Sequence, residues 1–170
     1  MRVGLTASEI NAVVFLNPET GLWAALHDIG KIQIPLAVLG KTEGFNGADM
    51  EVMRSHVKDG YNILVEESLS FSAWIALTHH RYQTHPYPKD SQMMAFPFPI
   101  PNASPETMLT ANEIARMVSL ADTYDAGHRP NNRFGGKTPS GSEIKARMLS
   151  DNPSRRELIE EIYNRSIFRG

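Results

Sequence analysis

The sequence predicts an all-α bundle. Three observations point that way: capping residues stand ahead of several stretches, apolar residues within those stretches recur at three- and four-residue spacing, and no run alternates apolar with polar residues as a half-buried strand would. Thr6 followed by Glu9 is a capping-box pattern for a short helix through Val13-Val14-Phe15. Asn17-Pro18-Glu19 then reads as cap, first turn and acidic start of a second helix, expected from about Pro18 to Ile29. After the turn at Gly44-Phe45-Asn46-Gly47, a third helix is expected over roughly Asp49 to Glu66, with Met53, Val57 and Leu64 along one face. Ser68 or Ser70 caps a fourth, ending at His79-His80. Prolines 86, 88, 97, 99, 101 and 105 then forbid a regular helix or central strand, so 81–109 is expected as a Pro-rich loop. Helical periodicity returns between about Thr110 and Ala126 and breaks from Gly127 to Pro139. It resumes in two helices, near Ser142 to Leu149 and Pro153 to Tyr163, the latter started by Asn152-Pro153.

A chain of 170 residues with 41% hydrophobic content suits one core and one domain, 1–170. The net charge of −2 argues against broad attraction to nucleic acid polymers or anionic membranes, so an anionic ligand must be met by a local cluster of cations. Absence of cysteine removes disulfides, thiolate metal sites and a cysteine nucleophile together. Any metal ligands must be His, Asp or Glu. No stretch reaches the roughly 18 consecutive apolar residues of a membrane span, and the start lacks a signal-peptide core, so a cytoplasmic location is the expectation.

Five of the six histidines fall in three tight places: His27 beside Asp28, His56, and His79-His80 with His85 close behind. Leu22, Trp23 and Leu26 are core-type positions, and His27 follows Trp23 by one helical turn. His56 shares a stripe with Met53, Val57, Gly60 and Leu64, and His79 stacks below Phe71 and Ile75. Farther on, Ile114, Val118, Ala121, Asp122 and Asp125 share another stripe. Four helices therefore aim ligand-type side chains inward. Each has a plainer reading: His85 and His128 suit structural histidines, and Asp122 alone could be satisfied by backbone donors. The set as a whole is different, because a buried unpaired carboxylate costs several kcal/mol and a buried imidazole also wants partners. A divalent cation such as Fe, Mn, Co or Zn answers both needs, and two ions are plausible. Asp28 could bridge them, polarising a shared hydroxide for attack on a phosphodiester.

The order of motifs resembles the HD superfamily, named for its His-Asp pair. His27-Asp28-Ile29-Gly30-Lys31-Ile32-Gln33-Ile34-Pro35 looks like the signature loop. Met53-Arg54-Ser55-His56, His79-His80, Pro86-Tyr87-Pro88, Ala121-Asp122-Thr123-Tyr124-Asp125-Ala126 and Arg129-Pro130 are similar to the HD-GYP subgroup, whose members hydrolyse cyclic di-GMP. The resemblance covers about residues 5–135. It implies that His27, Asp28 and Asp122 hold one metal, and that Asp28, His56, His79 and His80 hold the other. It implies a catalytic Lys31 on the scissile phosphate, and Tyr87, Arg129 and Arg133 in substrate binding; the plainer reading of both arginines is helix capping or solvent exposure.

Three departures stand out. No residue before His27 matches the family's upstream histidine ligand, which leaves either an N-terminally truncated chain or an incomplete site. Pro86 replaces the motif's glycine and Arg81 the usual glutamate after the paired histidines, which unsettles substrate preference. The segment from Lys89 to Pro105 is longer than the family's connection and suits a lid, an interaction surface or a tolerated excursion. The implied activity is cleavage of cyclic di-GMP or another phosphoester. The competing expectation is a catalytically degenerate domain that binds metal or nucleotide and acts through a signalling partner or as a dimer.

Overall fold

The computed structural model describes residues 19–128 and 139–168, and among these every regular element is helical. The expected helix through Phe15 lies outside the described residues. Helix α1 (Thr20–Ala25) stops before the expected Ile29, and the chain turns through His27-Asp28 into a 3-10 turn, Ile29–Gln33. Leu22, expected in the core, is 69% exposed. A one-turn α2 (Leu36–Leu39) leads to α3 (Gly47–Arg54). The Asn46 side chain accepts from the backbone N–H of Ala48 and Asp49, and Asp49 Oδ2 accepts from the Asn46 N–H, a reciprocal cap that fixes where α3 starts.

The single helix expected over 49–66 is two. At Ser55 the backbone N–H closes a short turn on the Val52 carbonyl (3.2 Å), the hydroxyl donates to Asp59 (2.8 Å), and α4 (His56–Glu66) begins. Helix α5 (Ser70–Thr78) is buried from Ser72 through Thr78. It is central, packed by α1, α4 and α7, and a helix covered on all sides shows no one-sided stripe.

The proline-rich segment differs most from expectation. It contains a short helix, α6 (Asp90–Met93), and ends five residues earlier than expected, because Pro105 is the first residue of α7 (Pro105–Gly127). Proline is at home there, where the missing N–H has no intrahelical partner, and Ser104 caps the Thr107 N–H. The rest is docked on the bundle. Tyr61 donates to the Pro97 carbonyl (2.6 Å), Ser70 donates to that of Pro99 (3.1 Å), and the Phe98 ring meets Trp74 edge-on at 4.9 Å.

Helix α8 (Gly141–Asp151) opens on the Ser140–Glu143 box. Pro153 starts a 3-10 turn, Pro153–Arg155, and α9 (Arg156–Asn164) follows it. Two apolar clusters result. One joins Ile75, Ile114, Met117, Leu120, Met148, Ile159 and Phe168, and the other joins Tyr61, Leu64, Trp74, Leu77 and Ala111. Among the described residues, no helix is long and apolar enough to cross a membrane.

One close approach positions the site. A Cβ on Gly30 would lie 1.9 Å from the His56 carbonyl oxygen and 2.4 Å from the Gly60 nitrogen, so only glycine lets the His27-Asp28 turn press this tightly on α4. Gly60 completes the contact from the other side, and His56 is thereby held beside Asp28.

Candidate metal centre

Three histidines are locked in the same way. Nδ1 of His27 sits 2.8 Å from the Ala24 carbonyl, Nδ1 of His56 sits 2.7 Å from that of Met53, and Nδ1 of His79 sits 2.9 Å from that of Ala76. A carbonyl only accepts, so Nδ1 carries the hydrogen in each ring and, in the neutral form, the lone pair falls to Nε2. Helix ends supply those carbonyls: all three acceptors lie three residues before the histidine, where the turn that ends each helix points its C=O groups at the ring.

The remaining ring nitrogens face one another. His27 and His79 are 5.0 Å apart between ring centroids, His56 and His80 5.4 Å, and His79 and His80 4.0 Å. Asp28 lies among them with its oxygens divided: Oδ2 is 3.3 Å from His27 Nε2 and 2.5 Å from Lys31 Nζ, while Oδ1 is 3.4 Å from His56 Nε2. Asp122 approaches from α7, with Oδ1 3.8 Å from His27 Nε2. Two sets bring ligand atoms within 4.8 Å of one another: His56, His79 and His80, and His27, Asp28 and His79.

These atoms satisfy no one. His27 Nε2, Asp28 Oδ1, His56 Nε2, His79 Nε2 and His80 Nδ1 are all buried without a hydrogen-bond partner. An unsatisfied buried polar atom costs about 1–3 kcal/mol. Five in one place would rival the whole net stability of a domain, roughly 5–15 kcal/mol. Donor atoms of this kind and convergence suit a divalent transition metal.

Electrostatics separates the two sides. Burial disfavours a charged His27, but the carboxylates of Asp122 and Asp28 outweigh it and raise the ring to about 9. The 3.3 Å approach of Asp28 falls short of hydrogen-bond geometry, so charge is what acts there. Burial works against ionisation of Asp28 and Asp122 as well, yet His27 holds both below the usual carboxylate range, helped at Asp28 by Lys31. On the other side burial wins. His56 is lowered, His79 is lowered well below its ordinary value by burial and then by neighbouring imidazoles, and His80 is lowered to about 3.

The structure thus brings together His27, Asp28, His56, His79, His80 and Asp122, with Lys31 bonded to Asp28. Tyr87 stacks on His80 at 4.5 Å and borders the cleft over the site, a space of about 620 Å³. Arg129 and Arg133 lie outside the described residues. His85 is exposed, His128 bonds its own helix at the Tyr124 carbonyl (2.8 Å), and neither belongs to the two ligand sets found among the described residues. Sequence reasoning passed over two arginines that line the cleft, Arg54 and Arg147. Arg54 stands two residues before His56, a signal that was available. Arg147 comes from α8, where nothing in the local pattern marks it.

The family model described as HD domain matches residues 1–127. The chain is 33% identical over 129 residues to the cyclic di-GMP phosphodiesterase response regulator RpfG of Xanthomonas campestris, covering 74% of this chain and 28% of that protein. It is 31% identical over 127 residues to a cyclic di-GMP phosphodiesterase of Thermotoga maritima (72% and 30%) and 33% over 112 residues to one of Vibrio cholerae (61% and 20%). The chain therefore spans less than a third of the length of these relatives.

Proposed function

The chain belongs to the HD domain family, and from that premise we propose that it is a metal-dependent phosphodiesterase of HD-GYP type acting on cyclic di-GMP or a related nucleotide. The observation that carries the reading is the convergence of four unpartnered buried imidazole nitrogens with the equally unpartnered Asp28 Oδ1. A neutral imidazole has one free lone pair, so His79 can serve one ion only. His56, His79, His80 and Asp28 would hold one ion, and His27, Asp28 and Asp122 would hold a second. Divalent ions there, Fe, Mn or another transition metal, would supply Lewis acidity and a water-derived nucleophile at neutral pH.

The chain's own residues do the rest. Backbone carbonyls orient the three Nδ1–H rings, so their lone pairs need no rearrangement on binding. Tyr87 holds the plane of His80 and walls the substrate cleft. Lys31 reaches into that cleft from the same turn as Asp28 and places a positive charge where a scissile phosphate gains negative charge. Arg129 and Arg133 add phosphate-binding forks by the motif match.

The test is metal analysis of the purified chain, followed by turnover of cyclic di-GMP with Mn2+ or Fe2+ supplied. Bound metal and release of a linear dinucleotide or GMP are expected. Bound metal with no hydrolysis of any phosphoester would instead indicate a signalling module, and a chain that takes up neither metal nor nucleotide refutes both readings.

A further inference from the structure

A second cleft of about 820 Å³ adjoins the metal cleft, and Arg54, His85 and Tyr87 line both. The two form one groove with Tyr87 at the divide. The second cleft is lined by four cationic side chains, Arg54, Lys58, Arg81 and Lys89, against two carboxylates, Glu51 and Asp90. In a chain with a net charge of −2, that local excess is selective. The carboxylates are spoken for by single partners: Glu51 accepts from Arg54 (2.7 Å), and Asp90 accepts from Arg81. Among the described residues no carboxylate pairs with Lys58 or Lys89, and the Arg54 Nε is buried without a partner while its guanidinium stands 5.4 Å from the Tyr87 ring centroid. Unpaired cations in a concave site are matched by an anionic ligand group.

We propose that this second cleft is a phosphate subsite that receives the second, uncleaved phosphodiester of a cyclic dinucleotide while the first lies at the metal cleft. The inference rests on the function proposed above and deepens it. A cyclic dinucleotide carries two phosphodiesters on opposite sides of one ring. A groove with ligand atoms at one end and unpaired lysines at the other holds both anions at once, whereas a substrate with one phosphate leaves Lys58 and Lys89 unused.

Binding and turnover are measured separately, so that the two readings fail separately. The equilibrium Kd for a hydrolysis-resistant phosphorothioate analogue of cyclic di-GMP is determined by calorimetry on the metal-loaded wild-type chain, on Lys58→Gln/Lys89→Gln and on Lys58→Arg/Lys89→Arg. The glutamine pair should weaken binding about tenfold, in line with loss of charge-assisted contacts, and the arginine pair should restore it. An unchanged Kd in the glutamine pair, equal weakening in both pairs, or no binding by the wild type overturns the subsite. Turnover of the wild type with Mn2+ decides the phosphodiesterase reading: hydrolysis with an unchanged Kd removes the subsite alone, and weakened binding without hydrolysis removes the enzyme alone.

Discussion

The two sides of the metal centre should load with different proton costs, and His27 decides the difference. With the ring raised to about 9 by Asp122 and Asp28, His27 is about 99% protonated at pH 7, two units lower. A metal can use Nε2 only after that proton leaves. His56, His79 and His80 are all lowered, so they are neutral at pH 7 and release nothing, and Asp28 and Asp122 are already ionised. The sign follows: lower pH keeps the proton on His27 and weakens binding at its side, while higher pH strengthens it. Affinity there should rise about tenfold per pH unit and level off above about 9. Affinity at the His56-His79-His80 side should stay flat over the same range. Calorimetric titration of Mn2+ at pH 7 in buffers of different ionisation enthalpy counts the protons. We expect His27→Gln to release about one fewer than wild type, any proton lost from water on the ion cancelling between the two. Equal proton counts in both proteins, or a Kd at the His27 side that is flat from pH 7 to 8.5, would refute the reasoning.

Three further outcomes follow from the geometry. Asp28→Ala removes the carboxylate facing both His27 and His56 and should weaken metal uptake by more than about 100-fold with activity lost alongside; normal turnover in this variant would defeat the bridging assignment. Lys31→Ala should retain its metal, by elemental analysis, and lower kcat by about 100-fold, the scale for one lost donor at a developing charge; loss of metal instead would mean that Lys31 acts by holding Asp28. Gly30→Ala drives a Cβ into the backbone of His56 and Gly60, where no side chain can yield. It should cost about 3 kcal/mol or more, roughly 10 °C in Tm, and a melt within 1–2 °C of wild type would show that the turn has room to shift.

The candidate cluster was legible because each member sits in a short local pattern. His27-Asp28 and His79-His80 are adjacent pairs, and His56 and Asp122 fall on apolar stripes whose period is independent of the rest of the fold. The helix boundaries were less legible, and each miss has a local cause. Periodicity continues through Ser55, so a break that consists only of a tightened turn, the Ser55 N–H on the Val52 carbonyl, left no mark on the apolar pattern. Pro105 read as a breaker because its meaning depends on position, and only the Ser104 cap turns it into a start. The docking of Pro97, Phe98 and Pro99 depends on Tyr61, Ser70 and Trp74, residues far away in the chain, and no window of local sequence contains that information.

The chemistry divides along the same line. Adjacent residues choose the ligand types, but their spacing is made by packing: Gly30 on Gly60 sets how far Asp28 lies from His56, and the entry of α7 sets how near Asp122 comes to His27. Apart from Lys31 and Asp122, the charge in the clefts belongs to the second kind. Arg54 and Lys58 come from helices on either side of Ser55, Arg81 and Lys89 from the segment after the paired histidines, and Arg147 from α8. Each reads alone as a solvated surface residue, and only the fold turns them toward a common groove. Substrate preference should therefore vary within this family through scattered cations that leave the His-Asp core untouched, since exchanging one of them disturbs no ligand and no buried helix.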